Sequence, residues 1–342
     1  MRRFISTWAR LAGSLFLAFA LVPSVAAQVK EIRMVEAGGK SGESIEEGYV
    51  KPFTAKTGIK VVRESPGSLG KLQAMVESGK ITAVLFELGS TTLEQAKAKG
   101  LIEPLDWNAI SPNPMYPEAR NDYGLGYQYY STVRAWRADA KAPKTWVDFW
   151  NAKDFPGKRT LPDYPSYAIP AALIADGVPP DKLYPIDLDR AFKSLEKIKA
   201  HVSVWWKAGA QPPQLLKDNE VQYAISWSGR VVGQDGIATT YNQAFIDLSY
   251  FVVPKGANPA EKAAAMKLLH EMTVAANQAK AAEVISYSGC SPELDPLLPQ
   301  SKLLEFPTAK QNKAAQILHN REWWFKNAEA VQKRWEQFKL GL

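Results

Sequence analysis

The chain is short of the residues from which most cross-links and many catalytic centres are made. It has one cysteine, Cys290, and three histidines, His201, His270 and His319, in 342 residues. A single thiol excludes an intramolecular disulfide and a cysteine-based zinc site. No two histidines stand at ligand spacing, which leaves a histidine-based zinc site unsupported. The nucleophile elbow G-x-S-x-G is missing as well; Ser226-Trp227-Ser228-Gly229 comes nearest and lacks the first glycine. A phosphate loop fails in the same way. Gly39-Lys40-Ser41 follows a strand pattern, but the position that should hold the opening glycine is Met34. Cys290 lies in the turn-like run Ser288-Gly289-Cys290-Ser291-Pro292 and reads as a small half-buried side chain. No catalytic residue, metal site or cofactor is expected.

A strong charge of one sign is also lacking. The 42 Lys and Arg face 35 Asp and Glu, a formal +7. Nucleic-acid binders gather their basic residues into a stripe. Here the basic groups form only short alternations, such as Lys97-Ala98-Lys99 or Lys193 to Lys199 broken by Glu196, and these read as solvated helix faces. A nucleic-acid partner is not expected.

Long apolar runs are confined to the N-terminus. Arg2, Arg3 and Arg10 precede an uncharged stretch from Leu11 to Gln28 that ends in Ser24-Val25-Ala26-Ala27. That order of basic, apolar and small residues predicts a secretory signal peptide over 1–27, cleaved near Ala27. A membrane span needs about 20 apolar residues, and this run is shorter and contains Pro23. Losing three arginines from 42 leaves 39 basic against 35 acidic side chains, so the exported chain carries +4.

What remains is a globular composition, 46% apolar, 23% charged and 11% aromatic, in a chain long enough for about two domains. Strand and helix patterns alternate. Glu31 to Ala37, Ile59 to Val62 and Ala83 to Phe86 read as strands. Ser68 is placed to cap a helix with Leu69, Leu72, Met75 and Val76 on one face and Gly79 at its end. Thr91 or Thr92 would cap the next helix, which ends at Gly100. From Ser111 to Tyr130 the pattern reads as a proline-rich and then aromatic loop, with a second α/β stretch from about Ser131. In that stretch Thr145-Trp146-Val147-Asp148 has capping-box spacing. Leu188, Phe192, Leu195 and Ile198 make a helical stripe. Val202 to Trp206, Val221 to Trp227 and Leu248 to Val253 are strand-like. Asn258-Pro259-Ala260-Glu261 opens a helix. Trp324, Ala328, Val331, Trp335 and Phe338 mark a final amphipathic helix. Alternation of this kind predicts an α/β fold with parallel sheets.

Open α/β sheets bind ligands at the carboxyl ends of their strands. The segments at those ends are Glu36-Ala37-Gly38-Gly39, Ser65 to Ser68, Glu87-Leu88-Gly89-Ser90, Asp163 to Tyr167, Trp205-Trp206 and Trp227-Ser228-Gly229-Arg230, with Tyr123 to Tyr130 between the halves. Aromatic faces hold cations and apolar ligand bodies, while hydroxyls and carboxylates fix polar ends.

Several segments together resemble one family. They are Gly100 to Asp106, Thr145 to Trp150, Asp154 to Arg159, Trp205 to Leu216, Ser228-Gly229-Arg230, Val253 to Gly256 and the Trp323 to Trp335 helix. In these the chain resembles the bacterial extracellular solute-binding proteins of ABC importers, in particular the spermidine/putrescine-binding group. The resemblance implies a two-lobed type II periplasmic binding protein fold. Lobe 1 would take 28–132 plus 252–300, and lobe 2 would take 133–251 plus 301–342. It implies a monomer in the periplasm that closes by hinge bending on a small solute and docks on an inner-membrane ABC permease. Trp205 or Trp206 would stack on the solute. Ser228 and Arg230 would bond its polar end, and Gly38, Gly39, Glu87 and Ser90 would answer from the other lobe. Ser68, Tyr127, Tyr164, Trp227, Asp247 and Ser249 complete the expected site. Polyamine binders of the group carry an acid five positions before the crossover proline, where this chain has Ser249, with Asp247 nearby. The expected solute is therefore nitrogen-containing and polar, either polyamine-like or an amino-acid, betaine or opine-like compound. Two other readings stand beside this one: an exported enzyme on the same fold, and an Fe(III)-binding protein using Tyr123, Tyr129 and Tyr130.

Overall fold

The computed structural model describes residues 29–341, so the expected signal segment lies outside the described residues. Its strands are β1 Glu31–Val35, β2 Lys60–Glu64, β3 Leu85–Gly89, β4 Ile102–Glu103, β5 Arg120–Asn121, β6 Gly124–Arg137, β7 Arg159–Pro162, β8 Val202–Trp206, β9 Tyr223–Trp227, β10 Ile237–Pro254 and β11 Ile317–Leu318. They hydrogen-bond in the order β2-β1-β3-β10-β6-β9-β7-β8, with β4 and β11 on β10 and β5 on β6. β2, β1 and β3 are mutually parallel, as are β9, β7 and β8. Between these two parallel sets β10 and β6 run antiparallel to each other, β10 antiparallel to β3 and β6 antiparallel to β9.

The central pair explains the architecture. β6 has 14 residues and β10 has 18, long enough at about 3.3 Å per residue to run through both halves. Buried side chains gather on either side of that crossing. Ile32, Met34, Phe53, Val84, Leu125, Phe251 and Leu269 belong to one core. Trp146, Phe149, Leu161, Leu173, Leu195, Tyr223, Trp335 and Phe338 belong to another. This is the two-lobed type II periplasmic binding protein fold.

Local signals account for several helix starts. The Ser68 hydroxyl accepts from the Lys71 amide, and both bonds of the Thr145/Asp148 capping box form. Asp187 and Asn258 cap their helices. Helix Arg321–Leu340 buries Trp324, Val331, Trp335 and Phe338 in the second core. Two expectations need correction. The helix after β3 starts directly at Ser90, with Gly89 as its cap rather than Thr91 or Thr92. The expected aromatic loop ending at Tyr130 is instead the first half of β6. That strand is buried on both faces over most of its length, so no alternation of apolar and polar residues marks it.

Candidate binding cavity

A cavity of about 240 Å³ opens where β1, β3 and β9 end, at the carboxyl-terminal edge on which such sheets place ligands. Glu36, Ala37, Glu87, Leu88 and Gly89 line it from the first half, with Ser41, Gly67 and Ser249. Trp227 and Arg230 line it from the second, and Gln128, Tyr130 and Tyr287 complete the wall.

Glu87 lies in the middle of β3 with both carboxylate oxygens engaged. The Tyr127 hydroxyl donates to Oε1 at 2.8 Å and the Ala37 amide to Oε2 at 2.7 Å. Burial raises its pKa above 4.5, while bonds from Tyr127, Ala37 and Ser249 act in the opposite direction. Glu36 is buried beside Arg63, whose Nη1 lies 3.1 Å from Oε1, and it accepts from the Gly38 amide. Gln128 donates to the Ser41 hydroxyl at 3.2 Å.

The opposite wall is aromatic and cationic. Trp227 is surrounded by Trp206 at 5.0 Å, Tyr164 at 5.9 Å, Tyr167 at 6.4 Å and Tyr130 at 6.5 Å between ring centroids. Arg230 makes no ion pair among the described residues, and its Nε is buried without a hydrogen-bond partner among them. The cavity thus holds a carboxylate on one side and an uncompensated guanidinium on the other. Where the walls meet, Tyr167 donates to the Tyr130 hydroxyl at 2.9 Å, and Tyr130 donates to Asp247 at 3.0 Å.

Glu87, Trp227, Arg230 and Ser249 are the sequence candidates on the cavity wall. Tyr127 supports Glu87 from behind, and Asp247 holds Tyr130. Gly39 lies at the cavity edge: a Cβ built on it would stand 3.6 Å from Arg230 Nη1. Gly38 adjoins it, with its amide turned to Glu36.

The other candidates sit elsewhere. Ser68 is spent as a helix cap. Ser90 is buried off the cavity wall, with no partner for its hydroxyl among the described residues. Ser228 is buried and accepts from the Ser131 amide at 3.2 Å, tying β9 to β6. Tyr164 donates to the Lys207 carbonyl and lines a separate groove with Asp163, Lys207 and Trp335. The two tryptophans expected to stack on solute point away from the cavity. Trp206 is fully buried, donating to the Ile225 carbonyl at 2.8 Å. Trp205, on the opposite face of β8, packs against Trp335 and Phe338. The tryptophan on the wall is Trp227, which Trp206 buttresses, beside the rings of Tyr130 and Tyr287. Nor do the tyrosines of the iron reading converge. Tyr130 faces the cavity, Tyr129 is buried against Tyr116, and Tyr123 lies under Lys97.

Sequence reasoning missed Ser41, Gln128 and Tyr287 as wall residues. Gln128 is hidden because β6 was read as loop. Tyr287 arrives through a bridge between Tyr129 and Ser288, a tertiary pairing with no local signal.

A type II binding-protein fold with a charged cavity between its halves defines a class of solute receptors, and the relatives narrow it. Residues 48–335 match the family described as bacterial extracellular solute-binding protein, and this chain belongs to that family. It is 32% identical over 335 residues, 94% of each chain, to a gamma-aminobutyric acid-binding protein of Pseudomonas aeruginosa. Among solved structures it is similar to an ABC transporter substrate-binding protein from Bradyrhizobium japonicum, with 35% identity and a TM-score of 0.85, covering 90% of this chain and 99% of that one. It is also similar to the Atu4243-GABA receptor, with 33% identity and a TM-score of 0.82, covering 90% and 97%. The chain is an ABC transporter substrate-binding protein for a small polar solute.

Proposed function

We propose that this protein captures a small zwitterionic amino acid of the 4-aminobutyrate class in the periplasm and delivers it to an ABC permease. The observation that carries this reading is the pairing of Arg230, free of any carboxylate among the described residues, with Glu87 across one cavity of about 240 Å³. Such a cavity is below the range that accommodates drug-sized ligands, which suits a solute of few heavy atoms. Arg230 takes the solute carboxylate, as a planar guanidinium does best. Glu87 and the ring of Trp227 take the ammonium. A polyamine would bring a second ammonium to Arg230 and would find Ser249 where an acid would serve it better. The names of the relatives at 32% and 33% identity support the same solute class.

Two lobes, 28–132 with 252–300 and 133–251 with 301–342, close on the solute as a monomer, and signal cleavage near Ala27 releases the protein to the periplasm. The solute leaves chemically unaltered. The test is a thermal-shift screen of the mature protein against 4-aminobutyrate, other ω-amino acids, betaines, opines and putrescine, followed by calorimetry and recovery of the bound compound. A ligand at 100 times its Kd adds about 2.7 kcal/mol of stability. A shift by putrescine alone, or a chemically changed product, overturns the reading.

A further inference from the structure

The segment that follows helix Ala275–Val284 bends at Ile285 and Ser286, where the Tyr287 amide donates to the Ile285 carbonyl at 2.8 Å. It is fixed to the first half twice over. Ala281 of the helix belongs to the first core, and Tyr129 and Ser288 exchange backbone bonds of 2.7 and 3.1 Å. From there the side chains of Ile285 and Tyr287 reach across to the second half and meet the backbone of Gly229. A Cβ on Gly229 would stand 2.5 Å from Tyr287 Cε1 and 2.8 Å from Ile285 Cγ1, distances that no real side chain tolerates. Arg230 is the next residue. Gly209 closes on its Nε from one side at 3.3 Å from an added Cβ, and Gly39 approaches its Nη1 from another. The Tyr287 phenol, 7% exposed, lines the same cavity as Arg230, and the two side chains act on each other there.

We propose that Tyr287, seated on the bare backbone of Gly229, is a positioning residue that orients Arg230 for a solute carboxylate, and that Gly229 is glycine so that this seat can form between the halves. The chemistry of the partner matters. A carboxylate beside Arg230 would neutralise it, whereas a phenol aims the guanidinium and leaves its charge for the solute. Burial pushes the Tyr287 pKa up to about 12, with the charge of Arg230 acting against the rise. The proposal rests on the amino-acid reading above for the identity of the solute, but the seat itself is independent of any solute.

The experiment has two arms on the mature protein. In the first, Tyr287→Phe keeps the ring on Gly229 and removes the hydroxyl. Calorimetry is run with 4-aminobutyrate and with 4-aminobutanamide, which has the same chain without the carboxylate charge. The Kd for 4-aminobutyrate is expected to rise at least about tenfold, as for a lost hydrogen bond to a charged group, while that for the amide stays within about twofold. Equal weakening of both, or no change in either, overturns the positioning role. In the second arm, solution scattering compares wild type, Gly229→Ala and Gly229→Ala/Tyr287→Ala, each saturated with 4-aminobutyrate so that the halves are driven to close. The single variant is expected to have the larger radius of gyration and the double variant to return towards wild type. A Gly229→Ala protein as compact as wild type overturns the seat. If wild type binds neither compound, the solute class is refuted, and the scattering arm run with whichever compound of the thermal-shift screen does bind decides the seat separately.

Discussion

Glu87 accepts one bond from a phenol and one from a backbone amide, so neither oxygen is free to rotate away from the cavity. Glu87→Gln turns an amide NH₂ towards one of those donors and removes the charge. Calorimetry with 4-aminobutyrate is expected to show affinity falling ten- to a hundredfold, as for a charge-assisted bond worth about 1.5–3 kcal/mol. The pH dependence has a defined sign. A carboxyl whose pKa is raised in the folded protein contributes stability at pH below its ordinary value, and that contribution is lost as pH rises through the raised one. Ammonium binding needs the ionised form, so affinity falls as pH drops through the raised value, above 4.5, and Glu87→Gln flattens that fall. Trp227 and Trp206 separate binding from support in the same way. Trp227→Ala removes a wall of the cavity and is expected to raise Kd at least about tenfold, two lost ring contacts being enough for it. Trp206→Phe leaves the Ile225 carbonyl without its donor, costing about 1–3 kcal/mol in urea unfolding, and is expected to move Kd far less. A Kd that changes more in Trp206→Phe than in Trp227→Ala contradicts this division.

At the scale of elements, local chemistry was readable and tertiary placement was not. Ser68, Thr145 with Asp148, Asp187 and Asn258 announce their helices because a cap is a contact between residues two or three apart. The same locality misled the site assignment, since a hydroxyl near a strand end can be consumed by its own helix, as Ser68 is. Trp227 and Arg230 were legible because they end and follow β9, Glu87 because it lies near the end of β3, and Ser249 because the family resemblance points to the position five before Pro254. Gln128 and Tyr287 were not, because a strand buried on both faces carries no period and a bridge to Ser288 spans 159 positions of chain. Element junctions also hold the pH sensitivity of stability. His319 follows β11, stacks on Trp324 at 5.6 Å and meets the Thr91 hydroxyl at 3.3 Å. Burial lowers its pKa below 6.5, with Asp247 acting against it. The folded state therefore prefers the neutral ring, and the associated stability is present above pH 6.5 and lost as pH falls through the lowered value. Melting temperatures measured across that window are expected to decline less steeply in His319→Gln than in wild type. Parallel curves remove His319 from the acid response.

For the whole molecule the question is why closure should wait for solute. β6 and β10 join the halves, and the described arrangement already brings Arg230 against Gly39 and Tyr287 against Gly229. In that arrangement Arg230 is enclosed without a counter-charge and Glu87 is desolvated with hydrogen bonds but no cation, so closing an empty cleft withdraws both charges from water without an ionic partner. A zwitterion supplies a partner to each, and its contacts exist together only when the halves meet, which is the differential affinity that shifts a two-state equilibrium. A diammonium solute answers Glu87 alone and leaves Arg230 unpaired. At equal saturation-level concentrations, 4-aminobutyrate is expected to reduce the radius of gyration in solution scattering, and putrescine to leave it unchanged. In the ligand-free protein the unpaired charge of Arg230 opposes closure. Arg230→Met keeps most of the side-chain volume and removes the charge that closure must bury. Without solute it is expected to scatter as a more compact particle than wild type, even though it binds 4-aminobutyrate poorly. If the empty variant is as open as wild type, the unpaired guanidinium is not what holds the cleft apart.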